Sequence, residues 1–320
     1  LVQGYAVVYA AGDAVPEILA AGPIACEGLD EPIVGGLRER RLRLEDLGLL
    51  PEGRAWLLIE FGGDTLAEAI DRASSLRGRI VTDPAQIGRL WAIRETGASA
   101  TALNLKGTPG PDPVVGWEDA AVDPLRLGDY LREFQALVDR HGYRTSLYGH
   151  FGDGCIHARI TFELRTTEGL ARWRGFLREA ADLVVKYGGS LSGEHGDGQA
   201  RAEFLPAMYG PELMRALREF KRIWDPLNRM NPGKLVNAAG EVLRVDESLR
   251  LGPRYKPVTV QTRFAFRSEV GDGFGRAAEH CVGMGKCRAK SGGTMCPSYR
   301  GTGEERYSTR GRARLLWEML

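Results

Sequence analysis

Residues 149–157 read Gly149-His150-Phe151-Gly152-Asp153-Gly154-Cys155-Ile156-His157, and strand-type runs flank them on both sides. Ser146-Leu147-Tyr148 precedes this segment, and Ala158-Arg159-Ile160-Thr161-Phe162 follows it. A helix would place both histidines on one face, but the glycines at 152 and 154 disfavour a helix. The pattern therefore predicts a strand, a tight turn and a second strand, with both imidazoles at one end of a sheet.

A second glycine-framed segment follows a predicted amphipathic helix over 167–187 and reads Ser192-Gly193-Glu194-His195-Gly196-Asp197-Gly198. The two segments hold three of the five histidines in the chain. Two neutral imidazoles, from His150 and His157, and the carboxylate of Glu194 make a three-ligand set with an open position, the usual form of a catalytic divalent metal site. His195 would then stay free as a general base. The alternative is that the histidines only satisfy hydrogen bonds of the loops.

Apolar strand-type runs and amphipathic segments alternate along the first part of the chain. Tyr5–Ala10 and 56–61 are predicted strands, and 84–99 and 210–224 are predicted helices. This order predicts an α+β fold with ferredoxin-like antiparallel sheets and helices packed on one side. We expect one domain over 1–240, a polar linker over 241–270 and a small cysteine-bearing segment over 271–320.

The composition is that of an ordinary globular protein, with 43% apolar and 27% charged residues among 320. A net charge of +1 gives no reason to expect a nucleic-acid partner. The sequence has neither a transmembrane run nor a secretory signal. It predicts a cytoplasmic protein, with the inner face of the membrane as a peripheral location. Because the chain starts without Met and ends in a helix-type run, we expect a fragment of a longer protein.

Three of the five cysteines cluster near the end of the chain, at Cys281, Cys287 and Cys296. An odd number of cysteines without a signal argues for a reducing compartment and a metal-binding role. Their spacing differs from the compact ferredoxin type, although nearby glycines permit a wrapped loop. The spacing therefore leaves open a wrapped loop around a metal cluster. Zinc held by these cysteines with His280 is one alternative to it, and three unrelated buried cysteines are another.

The two glycine-framed segments, followed by Met230-Asn231-Pro232-Gly233-Lys234-Leu235, resemble the C-terminal substrate (cap) domain of FAD-linked oxidases over roughly residues 1–240. That family includes D-lactate dehydrogenase, D-2-hydroxyglutarate dehydrogenase and the glycolate oxidase flavin subunit. The resemblance implies a divalent metal, often zinc, at His150, His157 and Glu194, with His195 as the base. It also implies that Arg94 binds the substrate carboxylate, whereas the alternative for Arg94 is a helix ion pair with Glu95 or a neighbour.

The activity that this resemblance implies is transfer of hydride from C2 of a small D-2-hydroxy acid to flavin. FAD would be bound mainly by an upstream domain, so that the fragment would be inactive alone. Two positions depart from the pattern, because Cys155 stands where many members have Asn and Arg159 where the 2-hydroxyglutarate enzymes have a polar amide. Near Trp117-Glu118-Asp119 there is no counterpart to their substrate lysine.

The cysteine-bearing segment, with Ser308-Thr309-Arg310-Gly311-Arg312-Ala313, resembles the start of the iron–sulfur domain fused to large D-2-hydroxy-acid dehydrogenases. This implies a 4Fe-4S cluster at Cys281, Cys287 and Cys296, with further ligands beyond the fragment. The cluster would pass electrons from reduced flavin to a quinone or an electron carrier. Two other functions stay open: a metal-dependent hydrolase that activates water, and a non-catalytic electron-transfer module.

Overall fold

The structure, a computed structural model, describes residues 1–104, 108–237, 243–247, 249–256, 258, 260–263, 273–291, 293 and 295–320. These residues form two compact units, one of Leu1–Ala102 with Pro111–Gly252 and one of Leu103–Gly110 with Pro253–Leu320. The predicted boundaries at 240–241 and 270–271 lie outside the described residues. The predicted linker over 241–270 therefore stays a prediction.

A six-stranded antiparallel sheet forms the centre of the first unit. Its strands are β1 (Val2–Tyr5), β2 (Ala25–Asp30), β3 (Ala55–Glu60), β4 (Ala120–Ala121), β5 (Thr145–His150) and β6 (Cys155–Ile160). The strands lie in the order β1-β3-β2-β5-β6-β4. An antiparallel sheet combined with helices confirms the predicted α+β class.

Helices connect these strands, and the second unit has helices of its own. In the first unit they are α1 (Val8–Ala20), α2 (Glu31–Glu39), α3 (Leu44–Leu47), α4 (Leu66–Ser74), α5 (Pro84–Ala100), α6 (Leu127–Arg140), α7 (Thr167–Lys186) and α8 (Leu205–Trp224). In the second unit they are α9 (Gly273–Glu279), α10 (Pro297–Thr302) and α11 (Thr309–Met319). Helix α8 is broken at Gly210, whose φ of 71° is not helical.

The sheet is built from two similar halves. In the first half, β1 and β2 flank β3, and α1 connects the two flanking strands. In the second half, β4 and β5 flank β6 in the same way, and α6 is the connection. Each half is thus a split β-α-β unit, as the ferredoxin-like prediction requires. Pairing of β2 with β5 joins the halves into one sheet.

Two helical layers cover the sheet unequally. The larger layer consists of α1, α6, α7 and α8, and it packs on side chains such as Leu57, Leu147 and Ile160. A smaller layer of α2 and α5 packs on the opposite face, over Leu29, Trp56 and Leu58. The prediction of helices packed on one side of the sheet therefore describes the larger layer. Helices α2 and α5 are a further layer on the other side. On the opposite face, the smaller layer packs mainly on the β1-β3-β2 half, so the β5-β6-β4 half is where polar groups can collect.

The predicted strand over Tyr5–Ala10 is wrong, because β1 ends at Tyr5 and α1 begins at Val8. The buried residues Ala11, Val15 and Ile18 follow helical spacing. A short, continuous apolar run is compatible with a buried strand or a buried helix, so the pattern alone could not distinguish them.

Replacing Gly12 on α1 tests the close crossing between α1 and α6. A Cβ atom on Gly12 would lie 2.9 Å from the main-chain N and Cα of Gly128. We expect Gly12→Ala to lower the free energy of unfolding by about 1–3 kcal/mol, because the helices must separate. The measurement is urea denaturation of the variant and of the unaltered protein.

Gly175→Ala on α7 is the matched control, because a Cβ there meets nothing within 4 Å. Helix propensity alone should then raise the free energy of unfolding by up to about 1 kcal/mol. Equal stabilities for the two alanine variants would contradict the proposed crossing.

Candidate active site

Alternate residues of β5 and β6 face away from the larger helical layer. Leu147 and Ile156 are buried beneath that layer, so their neighbours Tyr148 and His157 face the opposite side of the sheet. Tyr148 pairs with His157 across the two strands, and their ring centroids are 5.1 Å apart. His150, two residues after Tyr148, lies on the same face.

The turn between β5 and β6 brings the two histidines to one end of the sheet. Phe151–Asp153 form a single 3-10 turn, and Gly154 follows in a left-handed conformation with a φ of 66°. A side chain at Gly154 would also collide with the carbonyl of Val122. Glycine is therefore required there, and the predicted strand, turn and strand are confirmed.

The loop that carries Glu194 and His195 is held by one buried carboxylate, that of Asp119, just before β4. The Ser192 hydroxyl donates to it over 2.5 Å, and the main-chain N–H groups of Glu194 and His195 donate over 3.1 and 2.7 Å. The N–H of Gly193 donates to the main-chain carbonyl of Asp119 over 2.6 Å. The Asp119 residue thus fixes four consecutive residues of the loop.

These bonds also decide the charge of Asp119, whose side chain is only 1% exposed. Burial by itself would raise the pKa of this carboxyl, but the hydrogen bonds from Ser192, His195 and Glu194 outweigh burial and hold the pKa below its usual range. Sequence reasoning did not select Asp119. An acid before a short strand carries no motif of its own.

The four residues selected in the two glycine-framed segments come together in the structure. Glu194 Oε1 lies 3.2 Å from Nε2 of His150 and 3.2 Å from Nε2 of His157. His195 Nε2 is 3.5 Å from the same oxygen, and its ring stacks on that of His157 with centroids 5.0 Å apart. Three imidazoles therefore surround one carboxylate oxygen.

Hydrogen bonds on the far side of each ring set which nitrogen faces Glu194. His157 Nδ1 is 2.8 Å from the Glu118 carbonyl oxygen, to which it must donate, so Nε2 carries the lone pair. His150 Nδ1 is 2.7 Å from Glu27 Oε1 on β2. Both rings thus present Nε2 to the site, and each is held from behind by an oxygen acceptor, as in metal-binding histidines.

The protonation of the two rings differs because their surroundings differ. Burial lowers the pKa of His157, and the nearby His195 and His150 lower it further. Burial also disfavours the charged form of His150, but the hydrogen bond and negative charge of Glu27 outweigh it and raise the pKa. His157 is therefore neutral at pH 7, the form in which an imidazole can bind a cation.

One group of ligand atoms in the site is compact enough for a divalent cation, and His150 is not part of it. Ligand atoms of Asp119, His157, Glu194 and His195 all lie within 4.8 Å of one another. Because the oxygens of Asp119 already accept the loop hydrogen bonds, this residue serves the loop. The groups that can turn lone pairs toward a cation are Glu194, Nε2 of His157 and, once its proton is released, Nε2 of His150.

Arg94 on α5 lies beside this cluster and pairs with Glu27 instead of the predicted alternative Glu95. Its Nη2 is 2.6 Å from Glu27 Oε2, and the side chain is 17% exposed. Glu27 therefore bridges Arg94 and His150. Glu27 carries no signal in the sequence, because Ala25–Asp30 contains a glycine and two acids and has little strand propensity.

The three clustered cysteines belong to the second unit. Cys287 and Cys296 are buried with Tyr299, and Cys281 is half-buried. The hydroxyl of Ser298, together with further donors at Tyr299 and Thr309, lowers the pKa of Cys296 to about 7. A thiol with a lowered pKa forms the thiolate that metals bind.

The geometry of this cluster bears on the zinc alternative. Within the described part of this segment, no three cysteine and histidine ligand atoms lie within 4.8 Å of one another. One tetrahedral zinc ion would hold its thiolates ~3.8 Å apart. The zinc alternative with His280 therefore stays a prediction.

Replacing Asp119 tests whether its carboxylate holds the Glu194 loop. The single amide oxygen of Asp119→Asn cannot accept all of the loop hydrogen bonds, so we expect a loss of about 1–3 kcal/mol in the free energy of unfolding. Hydrogen exchange of the Glu194 and His195 amides should accelerate. Asp153→Asn, an exposed site in the other segment, removes the same charge and is the control. Equal exchange rates in the two variants would contradict this role.

No helix within the described residues is long and apolar enough to cross a membrane.

The D-2-hydroxyglutarate dehydrogenase of Escherichia coli (strain K12) is 32% identical over 284 residues, which cover 82% of this chain and 26% of that protein. Glycolate oxidase subunit GlcD of Bacillus subtilis (strain 168) is 27% identical over 72% of this chain and 49% of that protein. The D-lactate dehydrogenase of Archaeoglobus fulgidus is 34% identical over 37% of this chain and 26% of that protein.

The chain thus spans about a quarter of the D-2-hydroxyglutarate dehydrogenase. A family model described as "FAD linked oxidases, C-terminal domain" matches residues 1–235, which include both glycine-framed segments. The chain therefore belongs to the family of C-terminal domains of FAD-linked oxidases.

Proposed function

We propose that this chain is the substrate side of a flavin-dependent D-2-hydroxy-acid dehydrogenase, with a divalent metal, zinc by its donor set, held by His150, His157 and Glu194. The observation that carries the proposal is the meeting of both Nε2 atoms at Glu194 Oε1, at 3.2 Å each. Two nitrogens and one carboxylate with an open side are the donor set of a catalytic zinc site. The family and the names of the relatives supply the reaction class.

Residues of this chain have separate roles in the proposed reaction. When bound, the metal would lower the pKa of the substrate's 2-hydroxyl, and the flavin would accept hydride from C2. His195 takes the hydroxyl proton at Nε2, the nitrogen that faces Glu194. The oxidised product is the 2-oxo acid. His195 is 48% exposed, which gives it access to a substrate and to water that carries the proton away.

Arg94 is proposed to bind the substrate carboxylate. It gives one nitrogen to Glu27, and a guanidinium has further N–H donors that match a carboxylate bidentately. Because Glu27 also contacts His150, the carboxylate and metal subsites would share one support.

In this proposal, polypeptide beyond residues 1–320 takes part in binding the flavin and in passing electrons to the acceptor. FAD would be bound mainly by a further domain, since the relatives are up to about four times as long as the matched region. Cys281, Cys287 and Cys296 would be the first ligands of a 4Fe-4S cluster that carries electrons to a quinone or a carrier. The lowered pKa of Cys296 supports a metal-binding role for this thiol, since metals bind the thiolate form.

Histidine variants of the full-length flavoprotein separate the metal role from the base role. We expect His157→Ala to lose both bound metal and substrate oxidation. His195→Ala should keep the metal, and its rate of substrate oxidation should fall by about 10²–10⁴-fold, the usual contribution of a general base. The control is His141→Gln, because His141 pairs with Glu179 at the end of α6, outside the site. Metal content and the rate of flavin reduction are the two measurements.

The same preparations identify the substrate class. D-lactate, D-2-hydroxyglutarate and glycolate would be compared with a dye as electron acceptor. A protein that binds no divalent ion would contradict the metal assignment. Ester or amide hydrolysis without flavin dependence would instead show the hydrolase alternative.

A further inference from the structure

Glu118 stands between the two stacked imidazoles of the site and a fully buried arginine. Its main-chain carbonyl accepts the Nδ1–H of His157 over 2.8 Å. Its side-chain Oε1 lies 3.6 Å from Nδ1 of His195. One residue thus faces the rear nitrogen of both rings, with its main chain toward one ring and its carboxylate toward the other.

Arg201 fixes the Glu118 carboxylate from the opposite side. The Arg201 side chain is 2% exposed, and its Nη2 donates to Glu118 Oε2 over 3.1 Å. Its other nitrogens donate to the main-chain carbonyls of Leu191, over 3.0 Å, and of Gly116, over 3.4 Å. The arginine therefore ties the residues before β4 to the start of the Glu194 loop, and it leaves Glu118 Oε1 directed to His195.

Asp119 is the other carboxylate behind His195, at 3.9 Å from Nδ1. Its oxygens already accept from Ser192, Glu194 and the main-chain N–H of His195. Glu118 Oε1 has no other hydrogen bond among the described residues, so it is the acceptor available to the ring.

We propose that Glu118 is a positioning residue for His195, which it holds in the tautomer with the proton on Nδ1. This proposal rests on the proposed function, in which His195 is the base. With Nδ1–H donated to Glu118, the lone pair of Nε2 faces the substrate hydroxyl. The negative carboxylate also stabilises the imidazolium that forms when Nε2 takes the proton. The gap of 3.6 Å closes by a small ring rotation when substrate binds, as catalytic hydrogen bonds commonly do.

Glu118→Gln is a sharp test because Arg201 dictates how the amide must point. Arg201 Nη2 can only donate, so the glutamine oxygen must face it and the NH2 group must face His195. That NH2 donates to Nδ1 and moves the ring proton to Nε2, where the base needs a lone pair. The main-chain carbonyl that holds His157 is unchanged, so metal binding should persist.

The first readout is the tautomer, measured in the metal-loaded full-length flavoprotein by ¹⁵N NMR of the His195 ring at a pH where it is neutral. We expect the proton on Nδ1 in the unaltered protein and on Nε2 in Glu118→Gln. Glu133→Gln is the matched control, because Glu133 lies on α6 and pairs with Lys186 away from the site. An unchanged tautomer in Glu118→Gln, or a proton on Nε2 in the unaltered protein, would overturn the proposal.

The second readout is flavin reduction in the full-length flavoprotein at saturating substrate. We expect Glu118→Gln to slow it by about 10- to 100-fold, within the range of general-base catalysis, with KM and metal content unchanged. In the His195→Ala background the same change should have no further effect. A further loss there, or loss of metal from Glu118→Gln, would show a merely structural role. A normal rate for His195→Ala alone would refute the base assignment, and the tautomer result would still decide whether Glu118 orients the ring.

Discussion

The carboxylate of Asp119 is the group on which the candidate active site depends. A buried charge is costly unless its hydrogen-bonding capacity is used, and here the hydroxyl of Ser192 and the N–H groups of Glu194 and His195 use it. These bonds join residues more than 70 positions apart in the chain. Without them, the glycine-rich loop would have little to hold Glu194 at both histidines.

The fold supplies the other half of this arrangement. Because side chains alternate across a sheet, the strands that bury Leu147 and Ile156 under the larger helical layer must direct Tyr148 and His157 to the other face. The joining of β2 to β5 then places Glu27 behind His150. The site is thus assembled where the two halves of the sheet meet, on the face opposite the larger helical layer.

The sequence pattern singles out the four residues that meet in the candidate site but not those that support them. His150, His157, Glu194 and His195 stand out because histidine is rare in this chain and all four lie in the two glycine-rich segments. Glu27 lies on a strand with poor strand propensity, and Asp119 precedes a strand of two residues. Neither position carries a local signal, because the role of each is defined only by tertiary contacts. The strand prediction for Tyr5–Ala10 was wrong for a related reason, since a buried helix and a buried strand have the same apolar composition.

The central claim is that His150, His157 and Glu194 form a metal site. The sheet holds the two histidines in place, and Asp119 holds the loop that carries Glu194. Its most direct test is anomalous diffraction at the zinc absorption edge from crystals of this chain grown with zinc. The account predicts one ion about 2.0–2.2 Å from Nε2 of His150, Nε2 of His157 and a carboxylate oxygen of Glu194. An absent ion, or one bound without Glu194, would contradict it.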